Sequence, residues 1–112
     1  MPSKDISIIK HIEKYCIEIT NELSEISFSK EDFLKSSVYR NSLALCVLQI
    51  GELVGLLSDE YKKTHDAIDW RNIKAMRNIV AHKYGTFDFD VLWETVTENI
   101  PELKAFCEKE IS

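Results

Sequence analysis

Leu43-Ala-Leu-Cys-Val-Leu-Gln-Ile-Gly-Glu-Leu-Val-Gly-Leu-Leu57 is apolar on nearly every side of a helix, with Gln49 and Glu52 as its polar interruptions. A stretch of that kind belongs at the centre of a helical bundle or in a subunit interface. It falls short of the ~20 apolar residues a membrane span needs. Gly51 and Gly55 lie four apart on one face and cost helix propensity, so another helix backbone is expected to approach there. Upstream, Ser29-Lys-Glu-Asp32 resembles a capping box with Asp in place of Glu. One helix from about residue 30 to 63 is the expectation.

The flanks read as helices too. Before it, Ile6, Ile9, Ile12, Cys16, Ile19, Leu23 and Ile26 recur at three- and four-residue steps, one apolar stripe over about 4–26. After it, Asp66 or Asp69 can cap a third helix that ends near Lys83 or Tyr84, with Gly85 as its stop. A fourth begins near Asp88 or Asp90 and uses Val91, Trp93, Val96, Ile100, Leu103, Phe106 and Cys107. Pro101 within that run predicts a kink or break near Glu98 to Ile100. No stretch alternates as a strand does, so the expected fold is all-α, an antiparallel bundle of four to five helices. The 112 residues suit a single domain, 1–112.

Composition narrows the function. Hydrophobic residues make 45% and charged residues 29%, which excludes wholesale disorder. Cys16, Cys46 and Cys107 are odd in number and far apart, so neither a disulfide framework nor structural zinc is expected. They read as small buried hydrophobes in a reducing, cytoplasmic compartment. Met-Pro-Ser-Lys-Asp at the start lacks the order of a secretory signal. The net charge is −5, yet Trp70 through Phe87 carries Arg71, Lys74, Arg77 and Lys83 with no Asp or Glu. A cationic island on an acidic body focuses an anion; the plain alternative is a solvated face that is cationic by chance.

That island contains Arg77-Asn78-Ile-Val-Ala-His82-Lys83-Tyr84. With Arg77 set at zero, Ile73, Met76, Ile79 and Val80 fall between about 200° and 320° and face the core. Lys74, Arg77, Asn78, Arg71 and His82 fall between about 0° and 140°, a basic and polar face. If the helix persists to Tyr84, Arg77 and Tyr84 share a meridian. The residue types suit RNA scission without a metal. A near-neutral imidazole moves protons, a guanidinium holds the phosphate, and Asn78 can donate to a phosphate oxygen or fix the imidazole tautomer. One such His per chain is half of what acid and base roles require, and a symmetric dimer would supply the other. Cations near a helix C-terminus also arise for dipole reasons alone.

Arg77-x4-His82-x-Tyr84 resembles the signature of the HEPN superfamily, and most closely that of HepT-like toxins. Leu48-Gln-Ile-Gly-Glu52 is similar to the family's Gln-x-Ile-Gly-Glu run. Ala67-Ile-Asp-Trp70 is similar to the segment before the motif, with Asp69 where a Pro is commoner. The resemblance covers nearly the whole chain. It implies a two-fold helical homodimer acting as a metal-independent ribonuclease toxin that needs no cofactor, with Arg77 and His82 as the catalytic pair. It also implies a minimal nucleotidyltransferase antitoxin as partner, able to attach AMP to Tyr84. Arg71, Lys74, Lys83 and Asn78 are then expected to help hold RNA. Glu52 is expected to pair with Arg77 or Arg71 as an orienting residue, or else to face water. Trp70 and Trp93 are expected as core or interface anchors, and His11 and His65 as surface histidines. A non-catalytic module that presents a nucleotide or substrate to a nucleotidyltransferase would keep the same basic face, as would a purely structural dimer.

Overall fold

The computed structural model describes residues 3–86 and 88–112. Met1, Pro2 and Phe87, which begin the N-terminal reading and end the cationic stretch, lie outside the described residues. Helix α1 (Ser3–Glu25) is followed by α2 (Lys30–Lys35), α3 (Ser37–Leu56), α4 (Asp59–Thr64), α5 (Trp70–Lys83) and α6 (Phe89–Glu94). A π-helical turn (Thr95–Asn99) then leads into α7 (Ile100–Ile111). There are no strands among the described residues, and the fold is an all-α bundle. α3 lies at its centre, packed on α1 along one side and on α5 along another, while α7 covers α1.

The apolar stripe of α1 does what its spacing predicts. Ile9, Ile12, Cys16 and Ile19 are fully buried, against Leu43, Ile50 and Val54 of α3 and Leu103 and Cys107 of α7 in one core. Burial pushes the Cys46 and Cys107 thiols up to about 12 and Cys16 higher still, so all three are inert apolar packing groups. Trp70 is buried and donates its indole N–H to the His65 carbonyl at 3.0 Å. Trp93, half-buried, packs on Phe33 at 5.2 Å between ring centroids.

Three expectations need correction. The single helix over 30–63 is three helices, broken at Ser36 and Ser58. Each serine leaves helical geometry (ψ 109° and 151°), and its hydroxyl accepts from a backbone N–H three residues on, that of Tyr39 or Tyr61. Ser58 is held in that role from outside: buried Asp5 of α1 accepts from its N–H at 2.9 Å and its hydroxyl at 2.8 Å. Second, His65 is no surface histidine. It is half-buried, stacked on Tyr61 at 4.0 Å, with Nδ1 2.8 Å from the Tyr61 carbonyl and Nε2 3.1 Å from Glu110. His11 is exposed as expected. Third, the two glycines differ. A Cβ on Gly51 would sit 2.2 Å from the Arg77 Cβ, whereas one on Gly55 meets nothing within 4 Å. The break foreseen at Glu98 to Ile100 takes the form of the π turn that ends at Asn99, just before Pro101.

Candidate active site

Helix α5 carries the site because its first turn is anchored and its inner face is apolar. Asp69 accepts from the Asn72 N–H at 3.1 Å, which caps the helix. Trp70, Met76 and Val80 are buried against the core, which turns Arg71, Lys74, Asn78 and His82 outward. Where α5 crosses α3, the missing side chain of Gly51 is filled by the stem of Arg77. The Arg77 backbone therefore approaches α3 more closely than any other residue type at position 51 would permit.

The Arg77 guanidinium is tied down at three of its donors. Nε and Nη2 both donate to Glu52 Oε1, and Nη1 donates to Asn78 Oδ1 at 3.0 Å. Glu52 comes from α3, 25 residues away in sequence, and its side chain is half-exposed. Of the two pairings open to it, the Arg77 pairing is the one formed. Gly51, Glu52, Gly55, Lys74, Arg77 and Asn78 together line an open groove of about 210 Å³. A guanidinium fixed in this way holds one orientation at the groove, and a planar fork of that kind can match a phosphate.

His82 lies one turn further on, exposed, and outside the lining of that groove. Among the described residues its ring makes no hydrogen bond. Lys83 ends the helix, its carbonyl accepting from the Thr86 N–H at 2.9 Å. Tyr84 is not a helical residue (φ −59°, ψ 133°), so it does not share a meridian with Arg77. It turns instead toward α3, where its hydroxyl donates to Asn41, and it meets the Phe89 ring edge-on at 5.8 Å. Burial raises its phenol above the ordinary value, with Arg40 opposing. Gly85 follows at φ +93°, the left-handed geometry that stops the chain continuing as helix.

One chain thus gathers Arg77, Asn78, Glu52 and Lys74 into a groove, sets Arg71 one turn before them, and leaves His82, Lys83 and Tyr84 at the far end of α5. Arg40 and Asn41 beside Tyr84, and Lys62 and Lys63 beside Arg71 and Lys74, were not foreseen from sequence. Arg40 and Asn41 lie 43 or more residues from Tyr84 without a pattern linking them. Lys62 and Lys63 sit between Asp59-Glu60 and Asp66, so their charge cancels along the chain although not in space. Among the described residues no group of three His, Cys, Asp or Glu side chains is placed to hold a metal ion. No helix among them is long and apolar enough to cross a membrane.

Comparison with known proteins agrees with this architecture. A family described as Ribonuclease HepT-like matches residues 8–110. A Thermococcus cleftensis protein named as a probable ribonuclease HepT is 37% identical over 94 residues, covering 83% of this chain and 84% of that one. A candidate RNase of Caldanaerobacter subterraneus subsp. tengcongensis is 32% identical over 96 residues, covering 86% of this chain and 84% of that one. One from Methanocaldococcus jannaschii is 28% identical over 110 residues, covering 97% and 93%. No solved structure matches the chain. With nearly its whole length matched, the chain belongs to the HepT-like ribonuclease family of all-α HEPN proteins.

Proposed function

We propose that this ribonuclease cleaves RNA internally without a metal ion, as the toxin of a toxin–antitoxin pair, with Arg77 and His82 as its catalytic residues. The ribose 2′-oxygen gives its proton to a base and bonds to the adjacent phosphorus. The P–O5′ bond breaks, and the 5′-oxygen takes up a proton as it leaves. The products are a 2′,3′-cyclic phosphate and a 5′-hydroxyl. Arg77 holds the non-bridging oxygens and offsets charge developing on them, while Glu52 and Asn78 fix its plane. His82 supplies proton transfer. Lys74, Arg71 and Lys83 attract the backbone. Because His82 stands apart from the Arg77 groove within one chain, a two-fold homodimer supplies the facing imidazole, so that acid and base are both present.

The observation that carries this reading is the Arg77 guanidinium, locked by Glu52 and Asn78 in a groove open to solvent, in a chain of this family. Inhibition by a minimal nucleotidyltransferase antitoxin in the cytoplasm follows naturally. AMP added to the Tyr84 hydroxyl, in place of its hydrogen bond to Asn41, would put a phosphate and a nucleoside beside α5 and repel RNA. In EDTA, the purified protein is expected to release fragments that end in 2′,3′-cyclic phosphate. His82→Ala is expected to abolish them while keeping most RNA affinity; unchanged cleavage by that variant would remove the catalytic assignment. Intact mass after co-expression with a nucleotidyltransferase tests the modification, and AMP increments persisting in Tyr84→Phe would eliminate Tyr84 as acceptor.

A further inference from the structure

Next to the Arg77 groove runs a second one, of about 350 Å³, over the outer face of α3 between α4 and α5. The two share Gly55 and Lys74 in their linings, so they adjoin. Lys62 and Lys63 of α4 line one side, Arg71 and Lys74 of α5 the other, and Gly55 contributes to the lining from α3. Asp59 is the one carboxylate in that lining, and it reaches Lys62 only at 4.0 Å with its own side chain almost fully exposed. Four cations against one carboxylate make this a strongly positive channel on a chain whose net charge is −5.

Gly55 lines the channel without a side chain. A glycine near the end of a long helix costs stability, and Gly51 shows the usual compensation, a close packing partner. Gly55 has none, since a Cβ there would enter open space. A large side chain there would project into the space between Arg77 and Lys62.

We propose that this channel is the path of the RNA strand beyond the reacting phosphate, with Lys62 and Lys63 holding backbone phosphates opposite Arg71 and Lys74. The proposal rests on the ribonuclease reading and extends it to the substrate's neighbouring nucleotides. From Arg77 back to Arg71 is about 9 Å along the helix axis, which reaches past the reacting phosphate to the neighbouring nucleotides of a strand. Recognition here is of phosphate charge and not of bases. The Trp70 indole, the aromatic group in the lining, is buried with its N–H spent on the His65 carbonyl, so it offers no stacking face.

The test measures binding apart from cleavage, using 2′-O-methyl oligonucleotides of two and six nucleotides, whose methylated 2′-oxygens cannot attack. By fluorescence anisotropy the native protein binds the six-mer more tightly than the dimer. Gly55→Leu, which favours the helix and fills the passage, lowers six-mer affinity about tenfold. Lys62→Glu with Lys63→Glu does the same, and the double variant reduces the salt slope by about 1.4, at roughly 0.7 per single-strand phosphate contact. Asp59→Lys tightens the six-mer. Six-mer affinity and salt slope unchanged in both the glycine and the lysine variants would overturn the path, as would a native protein that binds both lengths alike. An absence of RNA cleavage by the native protein would count against the ribonuclease mechanism and not against the channel.

Discussion

Gly51 and Gly55 are the same residue type four positions apart, and they make opposite predictions. Gly51→Ala drives a methyl into Arg77 Cβ, so α3 and α5 must separate, at a cost of about 1–3 kcal/mol typical of overpacking. Gly55→Ala meets no obstacle and gains about 1 kcal/mol of helix propensity. Denaturant unfolding of the two variants checks the pair. Glu52 carries a prediction of its own. Glu52→Gln keeps the side-chain shape but removes the charge that two Arg77 donors share. A guanidinium free to turn loses its alignment, and kcat/KM for RNA is expected to fall about tenfold to hundredfold. The fold should survive, because Glu52 is half-exposed.

The elements were legible in the sequence to the extent that apolar spacing defines them. The stripe of α1 and the stop at Gly85 follow from residue types that act locally, while the cap of α5 was narrowed only to Asp66 or Asp69, of which Asp69 is the one used. The breaks at Ser36 and Ser58 did not, because a serine within an apolar helical run is tolerated. What makes Ser58 a cap is Asp5, 53 residues away, reaching it in the fold. The Arg77–Glu52 pairing was half-visible: a carboxylate in so apolar a helix needs a partner, but two arginines competed for it. Whether Tyr84 lies on the last turn stayed open, because Lys83 and Tyr84 are both acceptable ends before Gly85; the helix stops at Lys83.

The Asp5–Ser58 link also sets a pH dependence at this scale. Hydrogen bonding from the Ser58 backbone, ahead of the opposing effect of burial, holds the Asp5 carboxyl below its ordinary value of 3.8. Stability from this group is therefore fully present above pH 3.8 and is lost as pH falls through the lower folded value. Asp5→Asn should flatten the acid limb of a thermal-melting profile, and Asp5→Ala should cost about 1–2 kcal/mol at neutral pH through the lost charged hydrogen bonds. An acid limb identical in Asp5→Asn would show that the link contributes nothing.

Across the whole molecule, the apolar surface of α3 is only partly used by one chain. Leu43, Val47, Ile50 and Val54 are buried, while Val38, Leu45 and Leu56 of α3 remain exposed, Leu56 at 61%. Single exposed apolar residues are ordinary, but three on one long helix suit the proposed second copy. Leu45→Glu is then expected to shift the sedimentation-equilibrium mass from dimer toward monomer. A native protein that sediments as a monomer at working concentrations would remove the second imidazole from the mechanism. Inside, the three buried cysteines should stay unreactive toward a thiol reagent at pH 8 until the bundle unfolds.

His82 is exposed, so a small molecule can reach the space its side chain would vacate. The most direct measurement is therefore chemical rescue of His82→Ala: cleavage of a short RNA in EDTA while imidazole is added. Proton transfer by His82 predicts a cleavage rate that rises with imidazole concentration in His82→Ala and stays near zero in Arg77→Ala, which lacks the phosphate clamp. A rate in His82→Ala that ignores imidazole would contradict the account.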